Sequence, residues 1–180
     1  GFYIGRYETG NLASNTTTEP VVVKGNESIS SVNWYYMYEN SKKIAANSNV
    51  VSTMIWGSLW DRTLIWLTET GEKTYAEIYD SSTWGNYKDS SGEAEASSGS
   101  RRATGFSEAW KANNIYDLAG NVFDRTIEAY NTGCRVSRGG YYSTSGSSRP
   151  ASYRYSIYLP SSTSSYYGTR PALYVALDTE

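Results

Sequence analysis

Residues 141 to 168 hold seven Tyr and ten Ser in twenty-eight positions, a composition that suits neither a linker nor a core strand. There are too many rings for a chain that stays solvated, and too few aliphatic side chains for strands buried on both faces. Tyr supplies a large amphipathic contact area at small conformational cost and Ser adapts its hydrogen bonds, the economy used by antibody loops. The segment therefore reads as a contact surface, and the rest of the chain must supply the frame that holds it. Between Ala129 and Leu177 there is also no Asp or Glu, only Arg135, Arg138, Arg149, Arg154 and Arg170. In such a stretch each arginine must find a carbonyl, or a carboxylate from elsewhere in the chain.

A length of 180 residues fits one domain with a sizeable core, so residues 1–180 are read as a single domain with 138–172 as its binding region. That reading leaves room for the chain to be the C-terminal domain of a longer protein. With 16 basic and 18 acidic residues the formal charge is -2, which gives no electrostatic footprint for nucleic acid. The 18 Tyr and 6 Trp against 3 Phe place most large side chains at half-wet positions. Cys134 is the only cysteine, so an intrachain disulfide is impossible, and a buried inert thiol is expected. No apolar run approaches the ~20 residues of a membrane helix, so direct membrane insertion is not expected.

Along the chain, Phe2 to Glu8 alternates large and small side chains and predicts a first strand. Ile29, Val32, Tyr36 and Ile44 predict a helix within 28–46, with Asn26 or Ser28 as its cap. A stronger helix is predicted from Ser58 to Thr70, with Leu59, Arg62, Leu64, Ile65, Trp66 and Leu67 on its inner face and Gly71 as its stop. Residues 79–105 predict long irregular structure, ordered only if the core holds it. Short strands are expected at 115–118, 122–127, 135–140 and 173–177, with the turn pair Gly120-Asn121 between the first two.

Four pieces, in this order, resemble the formylglycine-generating-enzyme branch of the C-type-lectin fold. They are a first strand ending in Tyr7-Glu8; the block Asp117, Leu118, Ala119, Gly120, Asn121, Val122, Phe123, Asp124; Arg138-Gly139-Gly140; and Gly168-Thr169-Arg170. The resemblance implies an α+β C-type-lectin-like fold of that subtype, with two helices bracing a twisted, mostly antiparallel sheet and long irregular loops. The family's usual Trp, Glu, Trp is replaced here by Phe123, Asp124, Arg125, and its Phe by Thr169. Read from the residues alone, these motifs are structural: glycines suit positive φ and close approach, and Asn121 can bond its own turn.

Enzymes of the family this chain resembles use a cysteine pair with copper, and related members use histidines with iron. One cysteine and no histidine leave neither set available, nor any imidazole for activating a nucleophile. Asp117, Asp124 and Glu128 could imitate a glycosidase pair, but partnership with the arginines is the simpler role. No compact acidic loop suggests calcium. The expectation is a non-enzymatic domain with no cofactor and no metal.

The same lectin-like scaffold carries the variable proteins of diversity-generating retroelements in phages and bacteria, whose adenine-templated codons near the C-terminus yield Tyr, Ser, Thr, Ile and similar residues. The block Met54 to Asp61 and the ending Arg170 to Tyr174 also resemble such proteins from gut bacteria and their phages. On that resemblance the varied, ligand-contacting residues are Tyr141, Ser143, Thr144, Ser148, Tyr153, Tyr155, Ser156, Ile157, Tyr158, Ser164, Ser165, Tyr166 and Tyr167. Arg138, Gly139, Gly140, Arg149, Arg154, Gly168 and Arg170 are the fixed frame, with Pro150, Ala151, Pro160, Pro171 and Ala172. The implied role is adhesion or phage host recognition on a virion or bacterial surface, through a protein or glycan on a target cell, with oligomers allowed. The rivals are a fixed structural virion or cell-surface module and, further off, an enzyme of the formylglycine-generating type. Loss of binding without loss of stability is expected for Tyr153→Ala, Tyr155→Ala and Tyr158→Ala.

Overall fold

The computed structural model describes residues 1–15, 17–27, 31–45, 49–96, 98–155 and 157–175. It is a mixed α+β fold with few helices and mainly antiparallel sheets. The elements in chain order are β1 (Tyr3–Ile4), α1 (Trp34–Ser41), β2 (Val50–Met54), α2 (Gly57–Glu69), α3 (Tyr75–Tyr79), β3 (Lys111–Ala112), β4 (Ile115–Tyr116), β5 (Phe123–Ala129), β6 (Arg135–Arg138), β7 (Arg154–Tyr155), β8 (Tyr167–Thr169) and β9 (Pro171–Val175). No helix among the described residues is long and apolar enough to cross a membrane.

Among the described residues, three sheets replace the single sheet expected. β9 lies between β1 and β2, antiparallel to both, so the first and last strands of the described chain pair side by side, Ile4 opposite Ala172 and Met54 opposite Pro171. β3 and β4 form a small hairpin. The third sheet runs β7-β6-β5-β8, with β5 antiparallel to β6 and parallel to β8. β8 and β9 are separated only by Arg170, so the chain passes from one sheet directly into another at that residue.

The first helix is shorter than predicted. Asn33, not Asn26, caps it, its side chain accepting from the Tyr36 N–H, and Ser31 to Asn33 lie outside the helix. Ser28 and Ile29 lie outside the described residues, as does Ala46. Trp34, Met37, Asn40 and Ser41 form the buried face, at the i, i+3, i+6/i+7 spacing that a 3.6-residue turn brings to one side.

α2 falls one residue earlier than predicted, and its inner face is rotated. Trp60, Thr63, Leu64 and Leu67 are buried, whereas Arg62, Ile65 and Trp66 face outward. Trp60 decides the rotation: its ring is fully buried and its indole N–H donates to the Ala151 carbonyl at 2.9 Å. Two elements beyond the expected ones carry a clear signal in their residues. Thr74 and Glu77 form a reciprocal capping box that starts α3, and Val50 to Met54 is a β-branched run that pairs along the whole of β9.

Two of the expected strands shorten where the backbone turns left-handed: β4 stops at Asp117 with φ 56°, and β6 stops at Gly139 with φ 86°. The opening strand is confined to Tyr3–Ile4, and β5 runs on to Ala129. Ala176 and Leu177 lie outside the described residues. Cys134 is half-buried rather than enclosed.

The core divides into two clusters. One gathers Ile55, Trp60, Leu64, Leu67, Ile78, Trp84, Tyr87, Ile115 and Leu118, so Trp84 and Tyr87 anchor the long irregular segment as its composition required. The other contains Leu12, Val32, Trp34, Met37, Met54, Phe123 and Tyr167, and tyrosines of the Tyr/Ser segment pack onto its edge.

Candidate functional site

The Tyr/Ser segment forms a continuous aromatic face centred on Phe123, the first residue of β5. The Phe123 ring lies 4.9 Å from that of Tyr141, 6.2 Å from Tyr153 and 5.4 Å from Tyr155, centroid to centroid. From this hub the contacts spread outward, Tyr141 to Tyr166 at 4.5 Å, Tyr142 to Tyr166 at 5.7 Å, Tyr155 to Tyr158 at 5.1 Å and Tyr158 to Tyr167 at 5.0 Å. Tilted and offset rings at these separations attract beyond simple burial, so the face is an ordered surface.

Backbone hydrogen bonds to distant elements pin the segment that carries these rings. The Tyr142 N–H donates to Asn121 O, Lys88 N–H to Thr144 O, Ser81 N–H to Gly146 O, Trp34 N–H to Pro160 O and Arg135 N–H to Tyr158 O. Gly140 makes the turn into the segment possible: φ is 73°, and a Cβ there would run into the Arg149 carbonyl.

The expected contact residues divide by depth. Ser143, Ser148, Ile157, Ser165 and Tyr166 are exposed, and Tyr141, Thr144, Tyr153, Tyr155, Tyr158 and Ser164 are half-buried along the same surface. Tyr167 is the exception. It is 2% exposed in β8, where pairing with Phe123 turns its ring into the second core cluster, so it is a core residue and not a contact. Ser156 lies outside the described residues. Sequence reasoning missed Tyr142, whose ring meets those of Tyr141 and Tyr166, missed the exposed Leu159 of the same segment, and missed Phe123 as the hub of the face. Tyr142 had the same signal as its neighbour Tyr141.

Each frame arginine occupies a different setting. Arg138 is almost wholly buried and pairs with Asp61 of α2. Arg154 is exposed and pairs with Glu128 across the edge of the third sheet, an arrangement that contributes little to stability. Arg170 is fully buried, its guanidinium donating to Gly5 O and Tyr116 O at 2.7 Å each and lying 3.3 Å from Asp124 Oδ2. Arg125 is also fully buried, its guanidinium donating to the Leu159 and Ser162 carbonyls and lying over the Tyr167 ring at 4.8 Å. Arg149 sits among the rings of the face. Gly168 is buried in β8 opposite Asp124.

Asp117, Asp124 and Glu128 do not form one cluster. Glu128 is with Arg154, while Asp117 and Asp124 are buried with Glu8 and Arg170 beneath the sheets. Asp117 accepts from Thr104 Oγ1 at 2.9 Å and the Gly105 N–H at 2.7 Å, and Asn121 Nδ2 donates to Glu8 Oε2 at 2.7 Å. Asn121 Oδ1 accepts in turn from Asn86 and from the Arg102 N–H. The block 117–124 is thus an internal polar brace, the structural role its residues suggested. Among the described residues no three His, Cys, Asp or Glu side chains are disposed to hold a metal ion.

Burial pushes the carboxyl of Glu8 well above the usual carboxylate range, reinforced by Asp117 and Asp124. Desolvation likewise raises Asp117 and Asp124, each to about 6, against the pull of Arg170. A folded-state value above the unfolded one means that the native protein holds the extra proton. The stability so gained is present below about pH 4, the unfolded value, and is lost as pH rises through about 6. Glu108, held down to about 2 by Lys111, Lys24 and Tyr116, acts in the opposite sense, and only below about pH 4.5. Melting temperature is therefore expected to fall between pH 5 and pH 7.5. Glu8→Gln, which keeps the acceptor for Asn121 without a charge, should flatten that slope; an unchanged slope would remove Glu8 as its source.

No protein-family model matches the chain, and no curated protein matches it. Among solved structures, the chain is similar in path to Treponema denticola variable protein 1, with 16% identity and a TM-score of 0.49 over 95% of this chain and 84% of that chain.

Proposed function

We propose that the chain is a non-enzymatic binding domain with a C-type-lectin-like fold of the formylglycine-generating-enzyme subtype, whose aromatic face is diversified by a retroelement and contacts a protein or glycan on a target cell. The observation that carries this reading is the pairing of an ordered ring surface with an independently braced frame. Rings at 141, 153, 158 and 166 lie on irregular backbone and the ring at 155 on the two-residue edge strand β7, while Arg138, Arg170 and the 117–124 block hold the chain beneath them. Side chains can change on such a face without changing what supports it. Placement on a phage virion or a bacterial surface follows from that role and is part of the proposal.

Sequencing codons 138–172 from a natural population, with the flanking DNA, tests the diversification. Changes should concentrate at 141, 143, 144, 148, 153, 155, 157, 158 and 164–166, with an adenine-rich repeat and a reverse transcriptase gene nearby. An invariant segment without those neighbours would favour a fixed structural module.

A second expectation concerns binding of the labelled protein to a panel of bacterial strains, read by flow cytometry. Tyr166→Ala, at an exposed ring beside Tyr141 and Tyr142, should weaken binding about tenfold or more and cost less than about 1 kcal/mol of stability. Tyr155→Ala should also weaken binding, but it should cost about 1–2 kcal/mol of stability, because that ring packs against Phe123, Tyr153 and Tyr158. The half-buried tyrosines thus differ from the expectation of unchanged stability.

A further inference from the structure

Of the five arginines between Ala129 and Leu177, four have a partner for the guanidinium: Arg138 with Asp61, Arg154 with Glu128, Arg170 with Asp124, and Arg135 with the Cys134 carbonyl. Arg149 differs. Among the described residues its guanidinium meets neither a carboxylate nor a carbonyl. It meets only rings, lying 5.0 Å from the centroid of Tyr155, 5.5 Å from Tyr141, 5.6 Å from Phe123 and 5.6 Å from Tyr153.

Ring faces attract the positive charge and fix the position of the group, but they accept few of its five N–H donors. A half-buried guanidinium held in place with open donors is prepared for a planar, bidentate acceptor, and a carboxylate matches that fork. No carboxylate from within 129–177 can serve, because that stretch contains none. The cation lies among the same rings that form the proposed contact face, so an incoming ligand and Arg149 meet at one place.

We propose that Arg149 is the charge anchor of the face and that the ligand it fits is a protein epitope presenting an Asp or Glu side chain among apolar neighbours. This inference rests on the binding role proposed above and names the chemistry of the partner. A protein fits better than a carboxylated saccharide because the segment also exposes Ile157 at 65% and Leu159 at 53%. These aliphatic side chains gain by meeting other apolar side chains and little by meeting a sugar. The Tyr and Phe rings around Arg149, by excluding water from the pair, would strengthen it.

The test pans a random peptide display library against the 180-residue chain and against Arg149→Gln. The wild-type protein should enrich peptides with Asp or Glu beside apolar residues, and individual peptides should bind Arg149→Gln about tenfold or more weakly. Arg149→Lys, which keeps the charge but not the fork, should fall between them, and it serves alone if the Gln variant does not fold. Acidic enrichment that is absent, or that persists unchanged in both variants, would overturn the anchor. Carboxylated glycans bound on an array, with no acidic peptide selected, would overturn the protein partner. If tyrosine variants and wild type alike select nothing and bind no cells, the binding role itself fails, an outcome separate from a face that binds without acidic preference.

Discussion

Arg170→Ala is expected to cost about 3–5 kcal/mol. The residue stands where β8 of the third sheet becomes β9 of the first, and its side chain joins three further places: the Gly5 carbonyl beside β1, the Tyr116 carbonyl of β4, and Asp124 of β5. Alanine leaves two buried carbonyls without their donor, opens a cavity, and removes the cation that offsets Asp124, Asp117 and Glu8. For a domain of this length the melting temperature should drop on the order of 10 °C. The loss should also depend on pH. Near pH 5 the three acids can take up protons and lessen the cost, so the gap between wild type and variant should widen toward pH 8. Denaturant titration at both pH values checks this, and a gap that does not change with pH would mean that the lost hydrogen bonds and packing dominate.

That brace explains why some of the molecule was legible in its sequence. Gly120, Asn121 and Gly139-Gly140 announce left-handed turns by residue type, and each does adopt positive φ, whereas Asp117, expected in a strand, adopts it too. Arginines in an acid-free stretch announce partners elsewhere, and Asp124, Glu128 and Asp61 supply them. What was hidden depends on pairing across long separations. Tyr166 and Tyr167 are equivalent by composition, yet one is exposed and the other lies in the core, because only the parallel pairing of β8 with β5 decides which ring turns inward. Glu8 could not be seen as a third buried acid from local sequence, since its partner Asn121 lies 113 positions away. On α2, hydrophobicity alone puts Ile65 and Trp66 on the inner face, whereas the burial of Trp60 places them outside.

The two core clusters have separate tasks. The cluster around Trp60, Trp84 and Tyr87 holds the long irregular segment, and the Tyr87 hydroxyl donates to the Gly139 carbonyl at 2.7 Å beneath the turn into the face. The cluster around Met37, Met54 and Phe123 carries the rings themselves. Changes in the first cluster should alter stability with the face still formed in the folded fraction, whereas changes in the second should alter the face directly.

Phe123→Ala is the sharpest test of that division. Phe123 is 1% exposed, its N–H donates to the Tyr166 carbonyl at 2.8 Å, and its ring supports Tyr141, Tyr153, Tyr155 and the Arg149 guanidinium. Truncation should cost about 3–5 kcal/mol by lost burial and a residual cavity. It should also remove binding to target cells beyond what the unfolded fraction explains, because three contact rings lose their common support. Phe123→Leu separates the two effects. It keeps much of the volume, so its stability loss should be about 1–2 kcal/mol, yet it removes the ring on which the tyrosines and Arg149 pack. Binding measured where the Leu variant is folded should still fall about tenfold. Binding equal to wild type at that point would show that the tyrosines are positioned by their backbone bonds alone, and that Phe123 contributes volume to the core and nothing to the face.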